Sequence, residues 1–215
     1  MFLSRVPLNI NKKKTVTLLS SPRFIHGAVE RGFEGPRNRN LWRVDTIGDV
    51  KYLSVLSPVE PDFSHIVHEY GYEEDLNDLQ PWQTQDFSDF LSSLKDNQRW
   101  HFVLSANAVK SSVAIMNNRS GRSKIVACRT EDEMRQWLLD RCEKHGFAVD
   151  GDLLKIRRTE WSEFVKRNAG GNVVSLNVVD YEGHLVITDV ELFKEVLAKG
   201  LGRAKAYGCG MLKIS

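Results

Sequence analysis

Apolar Phe2, Leu3, Val6 and Leu8 around polar Ser4 and Arg5 read as a short strand from Phe2 to Leu8. From Lys12 to Phe33 the pattern turns helical, with a break near Ser20-Ser21-Pro22. Ser21 suits an N-cap and Pro22 the first helical position, after which Ile25, Val29 and Phe33 recur at helical spacing. Leu41 to Thr46 and Tyr52 to Leu56 read as paired strands around Ile47-Gly48-Asp49. Pro61 to Tyr70 and Asp86 to Leu94 read as short helices. The scheme then repeats. Trp100 to Ala106, rich in aromatic and branched residues, reads as a strand, and a polar basic loop centred on Asn117 to Arg122 follows it. Thr130 caps a helix reaching Lys144, with Glu131, Asp132 and Glu133 in the first turn where the helix dipole favours them. Met134, Trp137, Leu138 and Cys142 line its apolar side. Strands follow at Leu153 to Ile156, Trp161 to Val165, Val173 to Tyr181 and His184 to Thr188, with Asn168 to Asn172 turning a long hairpin. A helix from Asp189 to Lys199 precedes the last strand.

Each half thus reads strand, helix, strands, helix, strand. That order predicts an α+β chain of two tandem ferredoxin-like (βαββαβ) domains, 1–97 and 98–215. A chain of 215 residues is long enough to give either one large or two small domains a sizeable core. The N-terminus reads as a strand rather than an apolar signal segment. No stretch approaches the roughly 20 apolar residues of a membrane helix. Cys128, Cys142 and Cys209 are far apart and odd in number. They outline neither a disulfide framework nor a metal site, and they fit a reducing cytoplasm. His65 and His68 stand three apart, a spacing that suits a metal, but no cysteine or clear third ligand accompanies them. No metal and no cofactor is expected.

Net charge is only +2, yet it is unevenly spread. Glu60 to Asp96 carries ten acidic residues and one basic one, Lys95, whereas Arg99 to Arg129 carries six basic residues and no acid. Either run alone describes a solvated face. Side by side they describe one surface that attracts polyanions and another that repels them. The densest chemistry lies near the last strand, where Gly200, Gly202, Gly208 and Gly210 form two G-x-G pairs around Arg203 and Lys205. Consecutive N–H groups in such a turn form an anion-binding concavity, which the two cations reinforce. A dinucleotide loop would follow a strand and open a helix, and a triphosphate loop would carry Gly-Lys-Ser/Thr; this tail offers neither. A glycine-rich turn that only lets the last strand pack closely accounts for the same spacing.

Taken from spacing alone, His26 is one of six histidines and reads as a solvated or capping side chain. A resemblance changes that. Met1 to Val6, Ile25-His26, Leu41 to Asp45, Trp100 to Val109 and above all Gly200 to Leu212 resemble the CasE family, in the family's order and over the whole chain. These are the pre-crRNA endoribonucleases of type I-E CRISPR systems. The resemblance implies two ferredoxin-like domains, which agrees with the pattern reading. It also implies metal-independent cleavage of a repeat RNA at the 3′ base of its stem-loop. In that reaction the 2′-hydroxyl upstream of the scissile phosphate attacks phosphorus, leaving a cyclic phosphate and a 5′-hydroxyl. The resemblance makes His26 the catalytic histidine, and an imidazole, with an ordinary pKa of about 6.5, suits proton transfer near neutrality. Family members often carry a tyrosine three residues earlier. Arg23 stands there, followed by Phe24. Arg23 either stabilises negative charge developing on the phosphate or is a loop residue with no catalytic part.

An RNA duplex is read mainly by shape and backbone. From Gln98 onward the chain carries nineteen basic and fourteen acidic residues, which places the RNA surface there. Arg157-Arg158 and Lys166-Arg167 flank the long hairpin, and Lys110, Arg122, Lys124 and Arg129 extend a phosphate track. Arg203 and Lys205, with Gly200, Gly202, Gly208 and Gly210, would hold the strand near the cut. The implied partners are the repeat stem-loop, the mature crRNA and the other subunits of a type I-E surveillance complex. The acidic stretch from Glu60 to Asp96 would then face a protein neighbour. The competing reading is a structural subunit that holds the stem-loop without cutting it. Arg23 favours that reading; His26 and the tail oppose it. A base-stacking RNA module ranks last, because the aromatics mostly alternate with core positions.

Overall fold

The computed structural model describes residues 1–36, 38–72, 80–117, 122–165 and 173–215, and only the backbone of residues 113–117 and 122–123. The chain divides into two compact units. The first is Met1–Leu94 with Ala198–Gly200 and Ala204–Met211; the second is Lys95–Leu197 with Leu201–Arg203 and Leu212–Ser215.

In the first unit β1 (Phe2–Leu8) leads to α1 (Lys13–Leu19) and α2 (Pro22–Glu30). The hairpin of β2 (Leu41–Ile47) and β3 (Val50–Ser57) follows, then α3 (Ser64–Tyr70), β4 (Gln83–Asp86) and α4 (Ser88–Ser93). The sheet order is β2-β3-β1-β4, antiparallel throughout, which is the ferredoxin-like arrangement. Alternation along the strands decides the faces. Val6 and Leu8 share a face with Trp42, Leu53 and Val55, and these bury together with Leu18, Ile25, Ala28, Val29, Phe63 and Ile66. Leu3, Leu41 and Leu56 are in register on the opposite face, where Met211 joins them. Nothing in the hydrophobic pattern predicts β4. Gln83-Thr84-Gln85-Asp86 has no apolar residue, and it pairs because β1 offers it a ladder of backbone groups.

The second unit contains β5 (Arg99–Asn107), the hairpin of β6 (Val109–Asn117) and β7 (Arg122–Ala127), and α5 (Glu131–Cys142). After these come β8 (Phe147–Val149), β9 (Lys155–Val165), β10 (Val173–Ile187), α6 (Val190–Lys199) and β11 (Leu212–Ile214). The order β11-β5-β10-β8 repeats the ferredoxin-like sheet, and β9 pairs with the first part of β10. Thr130 caps α5 as its sequence predicts, its Oγ1 accepting from Glu133 N at 3.2 Å. Trp137 stacks on Tyr181 with centroids 6.0 Å apart, and the Tyr181 hydroxyl donates to Met134 O at 2.8 Å.

Two expectations need correcting. The basic segment around Arg122 is not simply a loop, because β6 and β7 run up to it on both sides. The four strands expected between 153 and 188 are two long ones. Glu182-Gly183 does not interrupt β10, since its pairing to β5 runs unbroken from Val178↔Asn107 to Val186↔Arg99. The Asn168–Asn172 turn lies outside the described residues.

Candidate active site

His26 and Glu30 are four residues apart on α2, so their side chains leave the same side of the helix. His26 Nδ1 is 3.9 Å from Glu30 Oε1, with the two side chains 23% and 20% exposed. Glu30 is itself held, because Asn40 Nδ2 donates to its Oε1 at 3.3 Å. Asn40 is buried, and its Oδ1 finds no hydrogen-bond partner among the described residues. A second neighbour of the imidazole is Tyr207, edge-to-face with ring centroids 6.0 Å apart and planes at 72°. A carboxylate near one ring nitrogen favours the proton there, which leaves Nε2 as the ring nitrogen turned away from that carboxylate.

Tyr207 comes from the glycine-rich tail, and β2 fixes where that tail runs. A short 3₁₀ turn, Lys205–Tyr207, follows Ala204 at φ +64° and ends at Gly208 at φ +79°. Trp42 Nε1 donates to Ala206 O at 3.2 Å. The Trp42 ring lies so close to Gly208 that a Cβ there would meet it at 2.6 Å. The neighbouring Leu41 meets the tail too, since a Cβ on Gly200 would stand 2.8 Å from its Cδ2. Gly202 and Gly210 also have positive φ, +81° and +91°. The tail is shared: Gly200, Lys205, Gly208 and Gly210 belong to the first unit, Gly202 and Arg203 to the second. Lys205 is half-buried, and burial lowers its pKa, with Arg39 and Lys199 pushing the same way. Arg23 stands three residues before His26 on α2, its guanidinium carbon 5.0 Å from the centroid of Phe24.

Three of the basic residues expected on the second unit, Lys110, Arg157 and Arg158, are engaged with carboxylates. Lys110 Nζ is 2.6 Å from Glu133 Oε1, and Glu133 Oε2 accepts from the Arg129 backbone N at 2.8 Å. Arg157 makes a two-pronged pair with Glu182, at 2.7 and 3.0 Å, and Arg158 Nε reaches Asp180 Oδ2 at 3.0 Å. Adjacent strand residues normally point to opposite faces. The register shift between Asp180 and Tyr181 lets Arg157 and Arg158 both reach acids two residues apart on β10. The Arg157 guanidinium holds the Glu182 carboxyl at about 2, and His101, 3.3 Å away, adds to the effect. Lys124 is exposed on β7, and Arg122 is described only as backbone. Lys166 and Arg167 lie outside the described residues. His65 Nε2, one of the two histidines at metal spacing, is hydrogen-bonded with Ala28 O at 2.9 Å.

Sequence reasoning missed Glu30, Asn40, Arg39 and Tyr207. The four-residue spacing of His26 and Glu30 on an expected helix was the one available signal. Asn40 and Tyr207 come close through tertiary contacts, and Arg39 acts on Lys205 from far along the sequence, none of which leaves a local pattern.

A family model described as CRISPR associated protein matches residues 1–215. The chain belongs to this CRISPR-associated family. The CRISPR-associated endoribonuclease Cse3 of Thermus thermophilus is 29% identical over 228 residues, covering 100% of both proteins. The structure of Thermus thermophilus Cse3 bound to an RNA representing a pre-cleavage complex aligns with a TM-score of 0.77 at 26% identity. It covers 100% of this CRISPR-associated chain and 98% of that one. A chain of a CRISPR RNA-guided surveillance complex, captured before nicking, has the same fold at 17% identity, with a TM-score of 0.68 and coverage of 100% and 99%.

Proposed function

We propose that this protein is a metal-independent endoribonuclease that binds the stem-loop of CRISPR repeat RNA and cuts pre-crRNA at the 3′ base of the stem. The observation that carries the reading is His26, with the Glu30 carboxylate and the Tyr207 ring as neighbours, in a chain that matches the CRISPR-associated family from end to end. The 2′-hydroxyl loses its proton as its oxygen bonds to phosphorus. The bond from phosphorus to the 5′-oxygen then breaks, and that oxygen takes up a proton. His26 serves one of these transfers through Nε2 while Glu30 steadies the other ring nitrogen. Arg23 supplies positive charge toward the phosphate oxygens. Residues 1–97, joined by the tail segment that carries Tyr207, hold the chemistry, and the rest of residues 98–215 most of the RNA surface. The ion pairs of Lys110, Arg157 and Arg158 are exposed and exchangeable, so phosphates can take the place of the carboxylates. The product remains bound, and the protein acts as a subunit of the type I-E surveillance complex. Its three buried free cysteines suit a reducing cytoplasm.

Cleavage of the repeat RNA in excess EDTA, wild type beside His26→Ala, tests this reading. One cut at the 3′ base of the stem is expected from wild type. The variant should be slower by about 100- to 10,000-fold while still binding. Tight binding with no cut by either protein would instead establish a stem-loop-holding subunit. Arg23→Ala should slow single-turnover cleavage without a matching loss of affinity; an unchanged rate removes Arg23 from the mechanism.

A further inference from the structure

We infer that Arg39 and Lys205 form a two-cation clamp for the scissile phosphodiester beside His26, an inference that rests on the endoribonuclease reading above. The first support is where the backbone places them. Arg39 immediately precedes Asn40, whose amide holds Glu30, the carboxylate that faces His26. Lys205 immediately precedes Ala206, which accepts from Trp42, and lies two residues before Tyr207, whose ring meets the imidazole. The same strand start receives Gly200 against Leu41, which brings Lys199 alongside. Two cations from distant parts of the sequence, Arg39 and Lys205, therefore lie within two residues of groups that touch the catalytic histidine or its carboxylate, with Lys199 nearby.

The second support is electrostatic. The charges acting on half-buried Lys205 are those of Arg39 and Lys199, both positive. On the second unit Lys110, Arg157 and Arg158 each face a carboxylate. Gathering like charges costs folding free energy, and a bound anion removes that cost. The chemistry of the reaction names the anion. A phosphodiester carries one negative charge, and the five-coordinate species formed by 2′-oxygen attack carries two. Cations fixed beside it therefore bind the transition state more strongly than the ground state. The planar fork of Arg39 can engage two phosphate oxygens, and Lys205 adds a point charge.

The test compares binding of two uncleavable repeat RNAs, both with a 2′-deoxy nucleotide at the cut. One keeps the natural phosphodiester there and the other carries a neutral methylphosphonate. Wild type should bind the neutral RNA about 10- to 100-fold more weakly. Arg39→Gln and Lys205→Gln should discriminate much less between the two. Each variant should also cleave ordinary repeat RNA roughly 100-fold more slowly. If the neutral linkage costs wild type and variants the same affinity, the clamp is wrong. Should wild type fail to cut ordinary RNA, the endoribonuclease reading falls, and the binding comparison still decides the clamp. Arg39 is exposed, so Arg39→Gln settles the question even if Lys205→Gln does not fold.

Discussion

Replacing Gly208 with alanine puts a methyl group where the Trp42 indole already stands. The new Cβ would meet Cζ3 at 2.6 Å, Cη2 at 2.8 Å and Cε3 at 3.1 Å. Trp42 cannot swing clear, because it is 4% exposed and its Nε1 is bonded to Ala206 O. Backbone strain adds to the clash, since φ at Gly208 is +79°. A side chain in that left-handed region costs about 1–2 kcal/mol, and overpacking a filled site costs about 1–3 kcal/mol. The sum, about 2–5 kcal/mol, falls on the tail and on the start of β2. Either the first unit loses stability or the tail shifts and carries Tyr207 away from His26. Thermal unfolding and single-turnover cleavage should be measured on the same preparation. The expected result is a Tm lower by about 5 °C or more and slower cleavage, with stem-loop binding largely kept. An unchanged Tm together with an unchanged rate would refute the idea that the Trp42–Gly208 contact organises the site.

Tyr207→Phe should cleave at close to the wild-type rate and Tyr207→Ala should not, because the contact to His26 is made by the ring; equal rates for the two variants would dismiss that contact. Gly27→Ala on α2 should raise the urea midpoint, as nothing lies within 4 Å of the new Cβ and alanine is favoured in a helix interior by about 0.5–1 kcal/mol; a lower midpoint contradicts the open surface. The Glu182 carboxyl is held at about 2, against 4.5 ordinarily, so its contribution to stability is present above about pH 4.5 and lost as pH falls toward 2. Glu182→Gln should flatten that part of the acid-unfolding curve, modestly because the pair is exposed, and a slope identical to wild type rejects the assignment.

The sequence announced the parts of the fold that depend on local pattern. β1, the α2 start at Ser21-Pro22 and the Thr130-capped helix were readable from a short apolar-rich run, capping residues and helical spacing. The polar strand β4 was not, because its reason to exist is the ladder that β1 offers. Nor was the unity of β10, since a glycine inside a strand looks like a turn until its register is known. The same divide runs through the site. His26 was singled out through resemblance, and Glu30 was there to be read at helical spacing. Tyr207 gains its place only because Trp42, 164 residues from Ala206 in sequence, bonds to the tail.

That separation has a consequence for how the protein comes into being. At about 5–20 residues per second, the ribosome needs roughly ten to thirty seconds to travel from Trp42 to Ala206. Through that interval a nascent first unit holds His26 on its helix without the Tyr207 ring or Lys205. The residues expected to grip the stem-loop, from Lys110 to Arg167, emerge earlier than the segment that completes the catalytic surroundings. Closing so long a loop is entropically slow. Competence to cut is therefore acquired late in synthesis, after most of the surface expected to hold the RNA has been made.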